Sequence, residues 1–182
     1  MMSDESTWIL ATDRLLLRPL GLDDLERLAA IQSDPEVMRF FPSGPRSQDQ
    51  TLADLERCMK LQTEHGFSLW ATIDRQSGLL IGRSGLLPQT LPDRHEVEIA
   101  YLIARSHWGL GLATEAARAI RDHGFATLGL DRLVSIIHRD NLASRRVAEK
   151  TGLRPERMIQ FMDHRCWLYS IESRREIGGS LE

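Results

Sequence analysis

Cysteine is scarce: the 182 residues contain only Cys58 and Cys166, too far apart for a CxxC metal or redox pattern. Two isolated cysteines suit a reducing compartment better than a secreted disulfide scaffold. Long apolar runs are missing as well. The stretch 99–104 is among the longest, whereas a membrane-spanning helix needs about 20 residues. The first residues carry Asp4 and Glu5 where a secretory signal needs basic residues ahead of an apolar run. There is no internal repeat, low-complexity tract or linker. Nor is there a surplus of positive charge: the formal net charge is -3, which argues against a generally basic binder of nucleic acid or membrane surfaces. These absences lead us to expect a cytoplasmic protein with no metal, nucleic-acid or membrane partner, and they leave monomer and homodimer equally open.

What remains is an ordinary globular composition, 42% hydrophobic and 27% charged. One domain over residues 1–182 is expected from the length, burying roughly 70% of its unfolded surface without covalent staples. Residues 14–19 read as a strand closed by Pro19. Asp23 is a candidate N-cap for a helix with Leu25, Leu28, Ala29 and Ile31 at helical spacing. Ser47 and Gln50 form a capping box for a second helix reaching about Glu64. From Phe67 the period becomes two, which predicts a strand turning through 74–78 into a partner over 79–87. A loop over 88–94 leads to a strand over 95–104 and then to a helix opened by Gly109 and ending near Leu128. A strand over 132–138, a short helix over 142–151 stopped by Gly152, and a hairpin over 157–171 turning near Asp163 complete a mixed α/β pattern.

The sharpest feature is the passage from strand to helix through Gly109-Leu110-Gly111. Such a turn exposes backbone N–H groups at the positive end of a helix, where glycine lets an anion approach closely; otherwise it is a bare GxG used for tight packing. A Walker loop is excluded because no lysine follows the second glycine. A dinucleotide fingerprint fits badly, with Thr114 at the sixth position and residues 105–108 between strand and glycines. A serine-hydrolase elbow fails because Gly-Arg-Ser-Gly-Leu at 82–86 lacks a glycine two after Ser84. Charge is unevenly spread: ten Lys and Arg face sixteen Asp and Glu over 1–104, but nine face five over 105–154. The positive excess around the turn fits a ligand bearing several phosphates, or a solvated helix face.

The ordered motifs Thr12-Asp-Arg-Leu-Leu-Leu-Arg-Pro19, Glu98-Ile-Ala-Tyr101, Trp108-Gly-Leu-Gly-Leu-Ala-Thr-Glu-Ala116, Asn141-Leu-Ala-Ser144 and Val147-Ala-Glu-Lys-Thr-Gly-Leu153 resemble the GCN5-related N-acetyltransferase (GNAT) superfamily. Within it, the closest likeness is to the branch of ribosomal-protein N-terminal acetyltransferases. The resemblance covers about residues 10–171. It implies a central, mostly antiparallel sheet with a splayed parallel strand pair, flanked by helices. Acetyl-CoA, with no metal, would bind where strands 95–104 and 132–138 part. To that cosubstrate the resemblance assigns the backbone of Tyr101, Leu102 and Ile103, the turn residues Trp108, Gly109, Leu110, Gly111, Leu112 and Ala113, and the side chain of Asn141. Ser106 departs from the superfamily pattern, which has Gln or Arg at that place. Arg145, Arg146 and Lys150 either meet the 3′-phosphate or adenine end, or form a wet helix face.

Acetyl transfer to an amine requires that the amine lose a proton, that an oxyanion be stabilised and that the departing thiolate be protonated. An α-amino group titrates near 7.7 and a lysine near 10.4, so a base assists the first and is close to necessary for the second. Glu96 and Glu98 share one strand face, where repulsion or burial would raise one of them. Glu98, directly before Ile-Ala-Tyr, is the first choice as general base, through a water; alternatively both are solvated or bind an ammonium. Ser144 matches the branch's acid toward the thiolate, or is a simple helix-start serine, and Asn141 doubles as an N-cap. His107 and His138 are rival proton carriers. Acceptor contacts are expected from Arg39, Phe40, Phe41, Pro42, the 89–94 loop and Trp70, unless Trp70 is half-buried sheet surface. Cys58 and Cys166 match no nucleophile motif, so direct transfer in a ternary complex is expected. The acceptor is a primary amine, on a protein N-terminus or on a small molecule such as an aminoglycoside or polyamine. The reading from outside the enzymes is a non-catalytic acyl-CoA-binding or sensory domain.

Overall fold

The structure, a computed structural model, describes residues 9–173. In chain order it contains β1 (Leu10–Ala11), β2 (Leu15–Pro19), α1 (Leu25–Gln32), α2 (Pro35–Met38), α3 (Gln48–His65), β3 (Leu69–Asp74), β4 (Leu80–Thr90) and β5 (His95–Ile103). There follow α4 (Leu112–Ala126), β6 (Arg132–His138), α5 (Leu142–Lys150), β7 (Arg154–Phe161) and β8 (His164–Glu172). Local chemistry explains several boundaries. Ser47 Oγ accepts from the Gln50 N–H at 3.2 Å while Gln50 Oε1 accepts from the Ser47 N–H at 2.9 Å, so the capping box starts α3. Left-handed Gly66 and Gly152 follow the ends of α3 and α5.

The strands form one sheet in the order β1-β2-β3-β4-β5-β6-β8-β7, every neighbour antiparallel except β5 and β6. The parallel pair therefore sits inside a mostly antiparallel sheet, as the resemblance implies. One core layer joins the sheet to α4 through Leu112, Ala116 and Ile120; the other joins it to α1 and α3 through Leu28, Leu55 and Cys58.

This two-sided cover corrects the reading of β3. Its alternation predicts one wet face, but Leu69, Trp70, Ala71, Thr72 and Ile73 are all buried. Trp70 lies in the layer shared with α4, donates its indole N–H to Gln62 Oε1 at 2.7 Å and meets the His123 ring edge-on. It is core, and it has no access to an acceptor. The expected 88–94 loop is also shorter, because the β4–β5 ladder continues to Thr90↔His95. Helix α4 begins at Leu112 rather than Gly109, because Gly109 and Gly111 have φ of +76° and +80°, outside helical geometry.

Glycine lets the central strands close. A Cβ on Gly82 would stand 2.0 Å from the Leu102 carbonyl oxygen, and one on Gly85 would stand 2.1 Å from that of Ser68. Backbone cannot step aside cheaply, so Gly82→Ala is expected to cost about 2–3 kcal/mol and to lower Tm by about 5–10 °C in a thermal unfolding scan. An unchanged Tm would show that β4 and β5 can part without penalty.

Candidate functional site

Parallel strands β5 and β6 share a single ladder position, Glu98↔Val134. Beyond it they diverge, and backbone groups that a ladder would pair need other partners. Two side chains supply them. Ser135 Oγ donates to the Ile99 carbonyl at 2.9 Å, and the Ile136 N–H donates to Glu98 Oε1 at 3.2 Å. Backbone direction alternates along β5: the Ala104 N–H bonds Ile81 on the β4 side, so Ala100 and Leu102 also face β4, whereas Ile99, Tyr101 and Ile103 face the gap. The Trp108 indole N–H takes the Ile103 carbonyl at 2.7 Å. The open edge is thus the Tyr101 N–H and C=O with the Ile103 N–H. Leu102, whose backbone the resemblance assigns to the cosubstrate, contributes only its side chain.

Two chambers meet at this splay. The glycine-turn chamber, about 430 Å³, is lined by Tyr101, Leu102, Ile103, Trp108, Gly109, Gly111, Leu112 and Ala113, with Asn141, Ser144, Arg146 and Lys150 opposite. The strand chamber, about 500 Å³, holds Glu98 and Gln89, the ring wall of Phe40, Phe41 and Pro42, and His138, His164 and Cys166. Phe40, Phe41, Tyr101, Leu102, Asn141 and Ser144 line both.

The turn is built to present amides. Left-handed Gly111 is the N-cap of α4, and the first intrahelical bond runs from the Glu115 N–H to its carbonyl at 3.1 Å. The N–H groups of 111–114 consequently have no intrahelical partner. At Gly109 an added Cβ would meet nothing within 4 Å, so the backbone angle, not space, requires glycine there. Side chains remote in sequence hold the turn in place. Arg14 donates from Nη1 to the Leu110 carbonyl at 2.9 Å and from Nε to Glu115 Oε2 at 2.7 Å, while Thr12 Oγ1 donates to Glu115 Oε1 at 2.6 Å. Leu110 itself is 55% exposed and lines neither chamber with its side chain.

Across the splay, Asn141 Oδ1 accepts from the Ser144 N–H at 3.1 Å and caps α5, and the Tyr101 hydroxyl donates to the Ser144 carbonyl at 3.0 Å. These bonds dock the start of α5 onto β5 where the chambers join. Arg146 and Lys150 face the glycine-turn chamber, but Arg145 does not: it donates to the Tyr169 hydroxyl at 3.0 Å and lies over the Trp167 ring.

Glu96 and Glu98 are both buried, on the same face, yet their surroundings differ. Arg94 and Arg132 clamp Glu96 at 2.6 and 3.1 Å, which removes it as a base. Among the described residues, no cation pairs with Glu98. It accepts from Gln89 Nε2 at 2.6 Å and from the Ile136 N–H, and burial pushes its carboxyl up to about 7 against the pull of those two bonds. Cys166 stands in the same chamber, which its sequence context gave no reason to expect; burial and the charge of Glu98 push its thiol up to about 11. His138 Nδ1 accepts from the Asp140 N–H at 3.2 Å, which assigns its hydrogen to Nε2. His107 lines the other chamber. Of the expected acceptor loop only Gln89 reaches the cleft. Asp93 pairs with Arg157 and Arg94 with Glu96 and Glu156, so the rest is tied down outside it. Arg39 stacks on Phe40 without lining either chamber.

The family model described as an acetyltransferase (GNAT) domain matches residues 14–154. Among curated relatives, the uncharacterized protein YkkB of Bacillus subtilis (strain 168) is 36% identical over 165 residues, covering 90% of this chain and 95% of that one. The spermidine N(1)-acetyltransferase of Escherichia coli (strain K12) is 27% identical over 144 residues, covering 77% and 73%. Among solved structures, the acetyltransferase from Agrobacterium tumefaciens str. C58 superposes with a TM-score of 0.79 at 28% identity, covering 90% of this chain and 94% of that one.

The raised Glu98 carboxyl has a consequence for stability. Between its ordinary value of 4.5 and about 7 the folded chain holds a proton that the unfolded chain releases, so stability falls as pH rises through that window. Relative to Glu98→Gln, the native protein is expected to lose Tm progressively from pH 5 to pH 7.5. Parallel Tm curves for the two proteins would contradict the raised value.

Proposed function

The chain belongs to the GNAT acetyltransferase family, and from that premise we propose that it transfers an acetyl group from acetyl-CoA directly to a primary amine in a ternary complex. The residues fit that cosubstrate. Left-handed glycines and the amides of 111–114 suit its pyrophosphate, Arg146 and Lys150 its 3′-phosphate end, and the open edge at Tyr101 and Ile103 the amides of its pantetheine arm. When bound, acetyl-CoA supplies an activated acetyl thioester at the junction of the chambers.

The observation that carries the reading is the position of Glu98: a buried carboxyl raised to about 7, in the chamber that joins the glycine-turn chamber at Tyr101 and Ser144. A base with that value is matched to an α-ammonium near 7.7. Glu98 takes the amine's proton, directly or through one water. Bond formation between the freed nitrogen and the acetyl carbon would break the C–S bond, and the thiolate, taking a hydrogen bond from Ser144, would leave with the nitrogen's second proton. The Cys166 thiol, raised by burial, stays protonated at neutral pH and does not serve as an acyl carrier. The acceptor is a primary amine, either on a protein N-terminus, as the resemblance of the sequence motifs to the ribosomal-protein branch suggests, or on a small molecule.

A thiol-release assay tests this. Native kcat/KM is expected to rise with pH through a midpoint near 7. Glu98→Gln should lose on the order of 10²-fold at pH 7, a loss that shrinks as pH rises and the neutral fraction of the amine grows. An unchanged rate and profile would remove Glu98 as the base. In calorimetry, acetyl-CoA should bind and NAD should not; the reverse would overturn the cosubstrate assignment.

A further inference from the structure

The strand chamber has a far end that the proposed chemistry does not use. On α3, Asp54 is 8% exposed and pairs with Arg46 at 2.5 Å, with Arg57 at 3.0 Å and with Arg83 of β4, and all four side chains line the chamber. Burial pushes the Asp54 carboxyl up, but Arg83, Arg46 and Arg57 together outweigh it and hold it below its ordinary value. It is therefore an anion, and one anion cannot neutralise three guanidiniums. Arg83 is 4% exposed, and its Nε is buried with no hydrogen-bond partner. A buried ion pair needs one arginine; two further guanidiniums and an unspent donor exceed what holding α3 to the sheet requires.

Register fixes this end relative to Glu98. Leu87 pairs with Glu98 and Arg83 with Leu102, so Glu98 and Arg83 leave the same sheet face four residues apart, about 13 Å along the strand. Between them the wall is apolar: Leu87, Ala100, Phe40 and Phe41. The chamber is bipolar, with a carboxyl at the splay, a hydrophobic middle and guanidiniums at the α3 end.

We infer that the acceptor is an amine carrying an anionic group, carboxylate or phosphate, separated from its nitrogen by a short apolar spacer, with the anion held by Arg57, Arg46 and Arg83. Which end takes the nitrogen rests on the transferase reading above; the preference for an anion at the other end does not. A polyamine of the same length would place a second ammonium among three guanidiniums, and guanidinium forks match carboxylate and phosphate oxygens.

Four six-carbon amines test this: 6-aminohexanoate, 6-aminohexyl phosphate, hexylamine and 1,6-diaminohexane. Each is titrated calorimetrically into the CoA-loaded protein and assayed for thiol release with acetyl-CoA. The two anionic amines are expected to bind and turn over at least about tenfold better than hexylamine, with the diamine weakest. Arg57, half-exposed on α3, is the safest to change. Arg57→Ala should shrink the preference for the anionic amines about tenfold, with Arg57→Lys retaining part of it. Equal binding of all four, tighter binding of the diamine, or a preference untouched by Arg57→Ala would overturn the inference. Anion-selective binding with no thiol release from any of the four or from a peptide N-terminal amine would overturn the transferase reading and leave the anionic end standing.

Discussion

Everything at the site depends on β5 and β6 sharing one ladder position and no more. A parallel pair that ran on would bury its backbone groups in mutual hydrogen bonds and leave no cleft. Parting the strands costs partners for those groups, and the structure meets the cost from side chains: the Ser135 hydroxyl takes the Ile99 carbonyl and Glu98 takes the Ile136 amide. Glu98 thus holds the edge of the splay and is buried by the same packing. The environment that lifts its carboxyl to about 7 is the environment that keeps the cleft open.

The same strand face shows how surroundings separate two identical residues. Glu96, two positions earlier, meets Arg94 and Arg132, and Arg132 also binds Glu156 and Glu172, so this network fastens β5, β6, β7 and β8 at one end. Among the described residues, Glu98 receives an amide from Gln89 and a backbone N–H and no cation. Divergent environments for paired carboxylates are a means of assigning one to structure and one to proton transfer. Charge along the chain follows a similar logic. The segment over 1–104 is acidic in sum, yet Arg46, Arg57 and Arg83 gather inside the strand chamber, so the average sign of a segment does not give the sign of its cavity.

Much of this was legible in the sequence where the signal is local. The Ser47 and Gln50 capping box, the Asn141 cap, the glycine turn and the strand at Arg132–His138 all depend on residues within a few positions of one another. The preference for Glu98 rested on its place before Ile-Ala-Tyr; Glu96 stayed open because only the fold brings Arg132 to it. The Arg14–Glu115 clamp and the Asp54 cluster join elements that are distant in the chain, and no window contains them. The burial of Trp70 is not legible in the sequence because alternation marks two faces without saying that both are covered. On α5, successive residues point about 100° apart, so Arg146 and Lys150, four apart, share the cleft side while Arg145 turns to Tyr169.

On the proposed transferase reading, the unpaired edge of β5 and the first turn of α4 together receive the cosubstrate's backbone-seeking groups. Amide-resolved hydrogen exchange with and without CoA measures this directly. Slower exchange is expected at Tyr101, Ile103 and residues 111–114 when CoA is added, with Leu102, whose N–H faces β4, unchanged. Equal exchange in the two states at Tyr101 and 111–114, in protein that calorimetry shows to be CoA-bound, would contradict it.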